Sequence, residues 1–139
     1  EWTRATPNLR LAGEEISPDV DAWQVTASWV VTGENRTFQG VVPRSPFNPA
    51  REGTGWGAWE LAARASGFRI DENVFDEGYA NPATAAQEAL EWGVGVNWYI
   101  NPFLKLSLDY NDTSFDGGAP NGGDRSTVGV LLSRLQVAF

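Results

Sequence analysis

The sequence predicts an all-β protein built as an antiparallel up-and-down transmembrane β-barrel. The first observation is that apolar and polar residues alternate with period two in several runs, as in strands with one apolar face. The second is that no run approaches the ~18 to 20 consecutive apolar residues that a membrane helix requires. The third is that the last run alternates in the same way and closes on an aromatic residue, Phe139.

The first half of the chain contains three predicted strands. Residues 1 to 11 give the weakest of them because Pro7 interrupts the run. Residues 22 to 32 alternate strictly and are rich in tryptophan and β-branched residues, which strands favour. Around residues 59 to 66 the alternation is equally regular, but an amphipathic helix is a rival because this segment consists of good helix formers.

The second half contains the clearest predicted hairpin. Residues 90 to 100 alternate, and their two interior glycines would each cost a helix about 1 kcal/mol, so a strand is favoured. Asn101-Pro102 then makes a tight turn into a strand at residues 104 to 111. A glycine-rich loop leads to the terminal strand at residues 131 to 139. The chain therefore supplies about six strands in a meander.

Two kinds of connection join these strands. Residues 71 to 88 and 112 to 125 are long, polar and acidic, whereas the turn at Asn101-Pro102 is minimal. Long loops at one rim and short turns at the other are typical of outer-membrane barrels. A terminal strand ends by convention on the periplasmic side, so the long acidic loops are expected to face outward.

The connection at residues 33 to 56 breaks this rule. It should lie on the side of the short turns, yet it is long and contains three prolines. Proline is confined to edges and bulges of sheets, so the segment is predicted to be an ordered periplasmic excursion rather than a central strand. Glu34 and Arg36 are expected either to pair within it or simply to form its turn.

The composition excludes several classes of function. The net charge of -8 comes without the basic stripe that phosphate backbones require, so nucleic acid is not expected as a partner. The chain has no histidine and no cysteine, and so lacks the commonest general base, metal ligand and thiol nucleophile. We expect no enzymatic activity, no catalytic residue, no metal site and no cofactor. The missing methionine indicates a processed product or a fragment.

The barrel cannot be complete with six strands. About eight is the practical minimum for closure, and an open sheet in lipid would leave unpaired edges. The predicted partners are therefore outer-membrane lipid and the remaining barrel strands, from the same or another chain. Phe139 is predicted to be the signal read by the assembly machinery, and the predicted location is the bacterial outer membrane.

Four segments resemble the carboxyl-terminal third of the phosphate-selective porin O/P family. They read SWVVTGENR from Ser28, followed by Pro43 and Phe47, then GWGAWELAAR from Gly55, GVGVNWYINP from Gly93, and RLQVAF from Arg134. The resemblance implies a sixteen-stranded homotrimeric porin that passes phosphate, polyphosphate or other small anions. Residues 1–139 would then be strands eleven to sixteen of a single barrel domain. That family's selectivity-forming arginines and lysines lie mostly upstream, so phosphate selectivity is not carried over.

Two sets of residues are candidates for function. Arg64 and Arg134 are preferred for contact with a permeating anion, because guanidinium binds phosphate oxygens in bidentate fashion. Simple cross-strand pairing is the alternative for all charges on the polar parity. The predicted pore-lining residues are Glu60, Arg64, Glu91, Lys105, Asp109 and Arg134. The predicted membrane-interface aromatics, on the apolar parity, are Trp23, Trp29, Trp59, Trp92, Trp98 and Tyr110.

Three functions are compatible with these patterns. The leading hypothesis is an outer-membrane porin that allows passive diffusion of small hydrophilic solutes, among them anions such as phosphate. The second is a structural β-barrel component of an outer-membrane assembly that transports nothing. The third is a secreted β-sandwich module that stacks carbohydrates on its tryptophans.

Overall fold

The computed structural model describes residues 1–11, 14–37, 40–48, 50–51 and 55–138. A four-residue helix, α1 (Asn73–Asp76), and a 3-10 turn at Pro120–Gly122 are the helical elements of these residues, so the predicted all-β class is confirmed. The strands within the same residues are β1 (Trp2–Ala5), β2 (Leu9–Leu11), β3 (Glu14–Ile16), β4 (Val20–Val30), β5 (Arg36–Thr37), β6 (Gly40–Val41), β7 (Ala58–Ile70), β8 (Ala86–Asn101), β9 (Leu104–Ala119), β10 (Gly123–Asp124) and β11 (Val128–Val137).

The main sheet is an up-and-down meander. Its strand order is β1-β4-β7-β8-β9, and β9 also pairs with both β10 and β11. The register between antiparallel β1 and β4 places Trp2 opposite Trp23. The short pairs β2–β3 and β5–β6 form two-stranded antiparallel sheets of their own. Strand rather than helix at β7 is confirmed, because pairing with β4 and β8 outweighs the helix propensity of its residues.

The two faces of the long strands differ in composition and in exposure. We call the face that carries Glu60, Lys105 and Ser107 the polar face, and the alternate positions the apolar face. On the apolar face Val94 and Leu108 are 51% and 48% exposed, whereas on the polar face Glu60 and Ser107 are 1% and 2% exposed. In water, burying such an apolar side chain stabilises a fold by about 1.5–3 kcal/mol. A water-soluble sheet would therefore bury the apolar face, which is exposed in this sheet.

The prediction of one strand at residues 1 to 11 is wrong. Strand β1 ends at Ala5, and Leu9–Leu11 pairs instead with Glu14–Ile16 in a separate hairpin. The physical reason lies in Pro7, which has no N–H to donate and cannot continue the ladder with β4.

The prediction of a loop at residues 112 to 125 is also wrong for its first part. Strand β9 continues through Ala119, and β8 begins at Ala86, inside the predicted loop 71–88. The hydroxyl of Ser114 donates to the Leu90 carbonyl oxygen at 3.3 Å, which shows the pairing in the extended region. Polar composition predicts a loop, but a polar segment remains a strand where a neighbouring strand pairs with it.

The described residues of the connection at 33–56 contain the β5–β6 hairpin and contact the main sheet. Phe47 N–H donates to the Ile100 carbonyl at 2.8 Å, and Gly57 N–H donates to the Ser45 carbonyl at 2.9 Å. Gly57 has φ +72°, and a Cβ there would collide with the Tyr99 carbonyl oxygen, so only glycine fits this close approach. Its periplasmic location stays a prediction.

The described residues form two compact units. The first unit is Glu1–Val25, Arg64–Trp92 and Asp112–Gly129, and the second unit is Thr26–Ala63, Gly93–Asn111 and Val130–Phe139. Among the described residues, no helix has the length and apolarity needed to cross a membrane. Phe139 itself, the predicted assembly signal, lies outside the described residues. Closure into a barrel and membership of a single barrel domain stay predictions.

Candidate functional site

An enclosed carboxylate, Glu60, is the centre of a polar network in the second unit. Strand β7 places it on the polar face, where its side chain is 1% exposed. Its Oε2 accepts hydrogen bonds from the Tyr99 hydroxyl at 2.8 Å and from Asn97 Nδ2 at 3.1 Å, both on β8. Ser107 on β9 donates to Asn97 Oδ1 at 2.7 Å. Three adjacent strands thus contribute to one network because their polar faces are in register.

Arg36, at the start of the β5–β6 hairpin, brings a cation to this carboxylate. Its Nη1 lies 3.0 Å from Glu60 Oε1 and donates to the Ser28 hydroxyl at 2.6 Å. Within the described part of the chain Glu60 Oε1 accepts no hydrogen bond, so its contact with Arg36 is an ion pair without hydrogen-bond geometry. At the other end of the hairpin, Val41 forms a buried cluster with Ala58 and Tyr99.

Lys105 lies beside this network and extends it into a group of five charges. Its Nζ is 4.8 Å from the centroid of the Tyr99 ring, a cation–π distance. Four other charges act on it electrostatically. Two are the cations of Arg36 and Arg134, and two are the carboxylates of Glu60 and Asp109. Within the described residues neither Lys105 nor Arg134 forms an ion pair. The group therefore holds three cations against two carboxylates.

Asp109 is positioned by the glycine opposite to it. Its Oδ1 occupies the space that a Cβ at Gly95 would need, and Asn111 Oδ1 stands in the same relation to Gly93. Gly93 and Gly95 thus leave two successive positions on the polar face of β8 without a side chain. The side-chain oxygens of Asn111 and Asp109 on β9 occupy the space above them. Any larger residue at Gly95 would displace the Asp109 carboxylate.

The first unit contains a second pair of polar-face charges, Arg64 and Glu91. Arg64 Nη2 contacts Glu91 Oε1 as a cross-strand ion pair between β7 and β8. Thr113 on β9 also donates to Glu91 Oε2 at 3.4 Å. Of the predicted pore-lining residues, the structure therefore brings Glu60, Lys105, Asp109 and Arg134 into one group and pairs Arg64 with Glu91. Whether all six line a pore stays a prediction.

Four members of the network, Arg36, Asn97, Tyr99 and Ser107, were not among the predicted site residues. Asn97 and Tyr99 fall on the polar parity of β8, and this parity was the signal that could have identified them. Arg36 offered no comparable signal, because its partner lies on a distant strand. Of the two alternatives for Arg36, pairing with Glu34 is not seen among the described residues, where Arg36 contacts Glu60.

Glu34 has its own role in the segment that follows β4. Thr32 Oγ1 donates to Glu34 Oε2, and the Arg44 N–H donates to Oε1 at 3.3 Å. Thr32 Oγ1 in turn accepts a hydrogen bond from the Trp59 N–H at 3.1 Å, which links the segment to β7. Partial burial raises the pKa of Glu34, but these hydrogen bonds outweigh it and hold the pKa below its ordinary value of 4.5.

The predicted interface aromatics fall into two groups. Trp23, Trp29, Trp92 and Tyr110 are exposed on the apolar face, as the alternation predicts. Trp98 instead stacks on Trp59 with ring centroids 5.3 Å apart, and its Nε1 donates to the Trp56 carbonyl at 2.7 Å. A belt position at the membrane interface stays a prediction for all six aromatics.

Fixed charges and hydrogen bonds, not reactive groups, make up this site. Among the described residues there is no cluster of carboxylates that could hold a metal ion. The arrangement can attract, repel and orient ions, and it contains no histidine or cysteine that would serve as base or nucleophile.

Comparison with known proteins agrees with this interpretation. The family described as "Phosphate-selective porin O and P" matches residues 9–139. Porin O of Pseudomonas aeruginosa is 27% identical over 113 residues, which are 81% of this chain and 25% of that protein. The chain thus spans about a quarter of the length of the curated relative it matches. Proteins of this family are outer-membrane porins of Gram-negative bacteria, so the predicted location and the predicted lack of enzymatic activity are confirmed. The chain belongs to the phosphate-selective porin O and P family.

Proposed function

We propose that the chain forms part of the wall of a diffusion channel in the outer membrane. Its polar face lines an aqueous lumen and its apolar face contacts lipid. The observation that carries this proposal is the inverted sheet, in which apolar side chains of one face are exposed while Glu60 and Ser107 on the polar face are enclosed. Membrane-spanning strands alternate in this way. Small hydrophilic solutes would cross by passive diffusion, with no chemical step.

Small anions such as phosphate are the proposed permeants. Cations outnumber carboxylates in the charge group around Lys105, and Arg134 is exposed. A fixed cation beside a water-filled lumen raises the local concentration of anions. The description of the family as phosphate-selective supports the same class of solute. Arg64 is the weaker candidate for contact with the anion, because Glu91 offsets its charge.

The proposed partners follow from the edges of the sheet. Among the described residues β1 pairs in the main sheet only with β4, and β11 only with β9, so each strand has an edge without a partner. In lipid every unpaired N–H or C=O costs several kcal/mol. Further strands, from the same or another chain, would pair with these edges. A homotrimer is proposed from the family resemblance alone.

Planar-bilayer recording of the pore-forming protein that contains this chain tests the proposal. A reversal potential measured in a potassium chloride gradient should show a preference for chloride over potassium. Arg134→Ala should roughly halve the anion-to-cation permeability ratio, because it removes an exposed cation from the lumen wall. Gln136→Ala is the matched control, on the same face of the same strand without a change of charge.

Each alternative function has its own outcome in these experiments. A protein without conductance at any voltage would favour the structural barrel component. Equal ratios in Arg134→Ala and Gln136→Ala would remove Arg134 from the permeation path. Recovery of the wild-type protein in the soluble fraction without detergent would contradict both barrel functions and favour the carbohydrate-binding module.

A further inference from the structure

The β5–β6 hairpin lies on the polar face of the sheet. Arg36 at its start contacts Glu60, and Val41 at its end packs with Ala58 and Tyr99. All three partners occupy polar-face positions on β7 and β8. The hairpin therefore takes up space on the side that we propose for the lumen, and it narrows the path of a solute at this level.

The position of the hairpin is coupled to the state of Glu60. An enclosed carboxylate is costly unless hydrogen bonds and a cation compensate it. Tyr99 and Asn97 supply the hydrogen bonds from the wall, but the cation in ion-pair contact with Glu60 is Arg36, which belongs to the hairpin. If the hairpin moved away, Glu60 would lose its ion-pair partner. The carboxylate thus favours the conformation in which the hairpin stays on the wall.

We propose that Glu60 is a positioning residue of the channel, which holds the β5–β6 hairpin against the lumen wall and thereby sets the width of the aqueous path. The inference rests on the proposed function, because only a conducting lumen has a width to set. Glu60 acts through Arg36 and needs no contact with the permeating solute. The apolar cluster of Val41 with Ala58 and Tyr99 also attaches the hairpin to the wall. Because this contact is uncharged and non-directional, it fixes the position of the hairpin less strictly than the ion pair does.

Glu91 provides a matched control on the same face. Like Glu60 it is a carboxylate of a polar-face ion pair, yet its partner Arg64 lies on a strand of the main sheet and not on the hairpin. Glu60→Gln and Glu91→Gln remove the same charge from the polar face. Only Glu60→Gln also removes a contact with the β5–β6 hairpin.

Two measurements on the pore-forming protein test the proposal. Hydrogen–deuterium exchange over the backbone amides of the hairpin reports on its pairing, in which Arg36 and Thr37 lie opposite Val41 and Gly40. In Glu60→Gln we expect this exchange to be about tenfold faster, because the ion pair is lost while Arg36 is already partly solvated. We expect single-channel conductance to rise by up to about twofold, with more open-channel noise. Glu91→Gln should leave the exchange unchanged, and any change in its conductance measures the effect of a lost polar-face charge alone.

Three results would overturn the proposal. Equal changes of conductance in Glu60→Gln and Glu91→Gln would show that the conductance responds to the lost negative charge and not to the position of the hairpin. Unchanged exchange in Glu60→Gln would show that Glu60 does not hold the hairpin, and faster exchange with unchanged conductance would show that the hairpin does not set the width. A silent wild-type channel would instead contradict the proposed function, while the exchange data would still decide whether Glu60 holds the hairpin.

A second pair of variants covers the case in which Glu60→Gln fails to fold. Arg36→Gln breaks the same contact from an exposed side chain of the hairpin. It should reproduce the faster exchange and the higher conductance. Arg36→Lys keeps the cation and should restore both towards the wild-type values. Wild-type behaviour of Arg36→Gln would overturn the proposal.

Discussion

Two glutamates hold the segment between β4 and β7, and they do so by different means. Glu60 is enclosed in the sheet and is offset by Arg36, whereas Glu34 lies in the segment itself and accepts hydrogen bonds from Thr32 and Arg44. The ionised carboxylate of Glu34 accepts both bonds more strongly than the neutral acid would. Protonation of this single residue therefore weakens the attachment of the segment.

Acid is predicted to loosen this attachment. The pKa of Glu34 is lower in the folded chain than its ordinary value of 4.5, so its contribution to stability is fully present above that value and is lost as the pH falls through the folded pKa. Hydrogen–deuterium exchange at the Arg44 amide, corrected for the intrinsic rate, should accelerate about tenfold over this range. Glu34→Gln cannot ionise, so its corrected exchange should not change over this range, and a pH profile like that of the wild type would contradict the assignment.

At the scale of elements, Trp98 connects strand β8 to the segment that precedes β7 through a hydrogen bond to Trp56. Its ring stacks on Trp59 and lies 5.7 Å from the ring of Phe47, while its indole N–H donates to the Trp56 carbonyl. An aromatic predicted for the membrane interface therefore also connects two parts of the polypeptide. Trp23 and Trp29, which are exposed on the apolar face, make no such hydrogen bond to a connecting segment among the described residues.

Trp98→Phe is predicted to destabilise the protein by about 1 kcal/mol, because it keeps an aromatic ring and removes the hydrogen bond to Trp56. Thermal unfolding in detergent measures this change. Trp29→Phe is the control, since Trp29 is 65% exposed on the apolar face and makes no side-chain hydrogen bond among the described residues. Equal losses of stability in the two variants would contradict a specific role for the Trp98 indole.

Alternation along the chain predicted the strands and the face of each residue, because side-chain direction in a strand is a local property with period two. Strands β4, β7 and β8 and the exposure of their apolar face follow from this pattern. Pairing could not be predicted in the same way. The extension of β9 to Ala119 and the break of the first strand near Pro7 depend on whether a neighbouring strand accepts the hydrogen bonds.

The candidate site was predictable in part for the same reason. The polar parity identified Glu60, Lys105 and Asp109, and the structure places all three in one charge group. The partner of Glu60 was not predictable, because Arg36 reaches it from a segment that lies outside the main sheet. Period-two patterns assign residues to a face but do not say which connection covers that face.

At the scale of the whole molecule, the central claim is that the polar face lines water and the apolar face meets lipid. Leu108 and Asp109 are neighbours on β9 and point to opposite faces of the sheet. The chain contains no cysteine, so a cysteine introduced at either position is its single thiol. Two adjacent residues can therefore report on the two environments under identical conditions.

The most direct test applies a charged, membrane-impermeant methanethiosulfonate to the conducting protein in a bilayer. The account predicts that the reagent modifies Asp109→Cys and changes the single-channel current, because that side chain faces the lumen. Leu108→Cys should remain unmodified and its current unchanged, because lipid covers the side chain. Equal modification of both positions, or modification of Leu108→Cys alone, would contradict the assignment of the two faces.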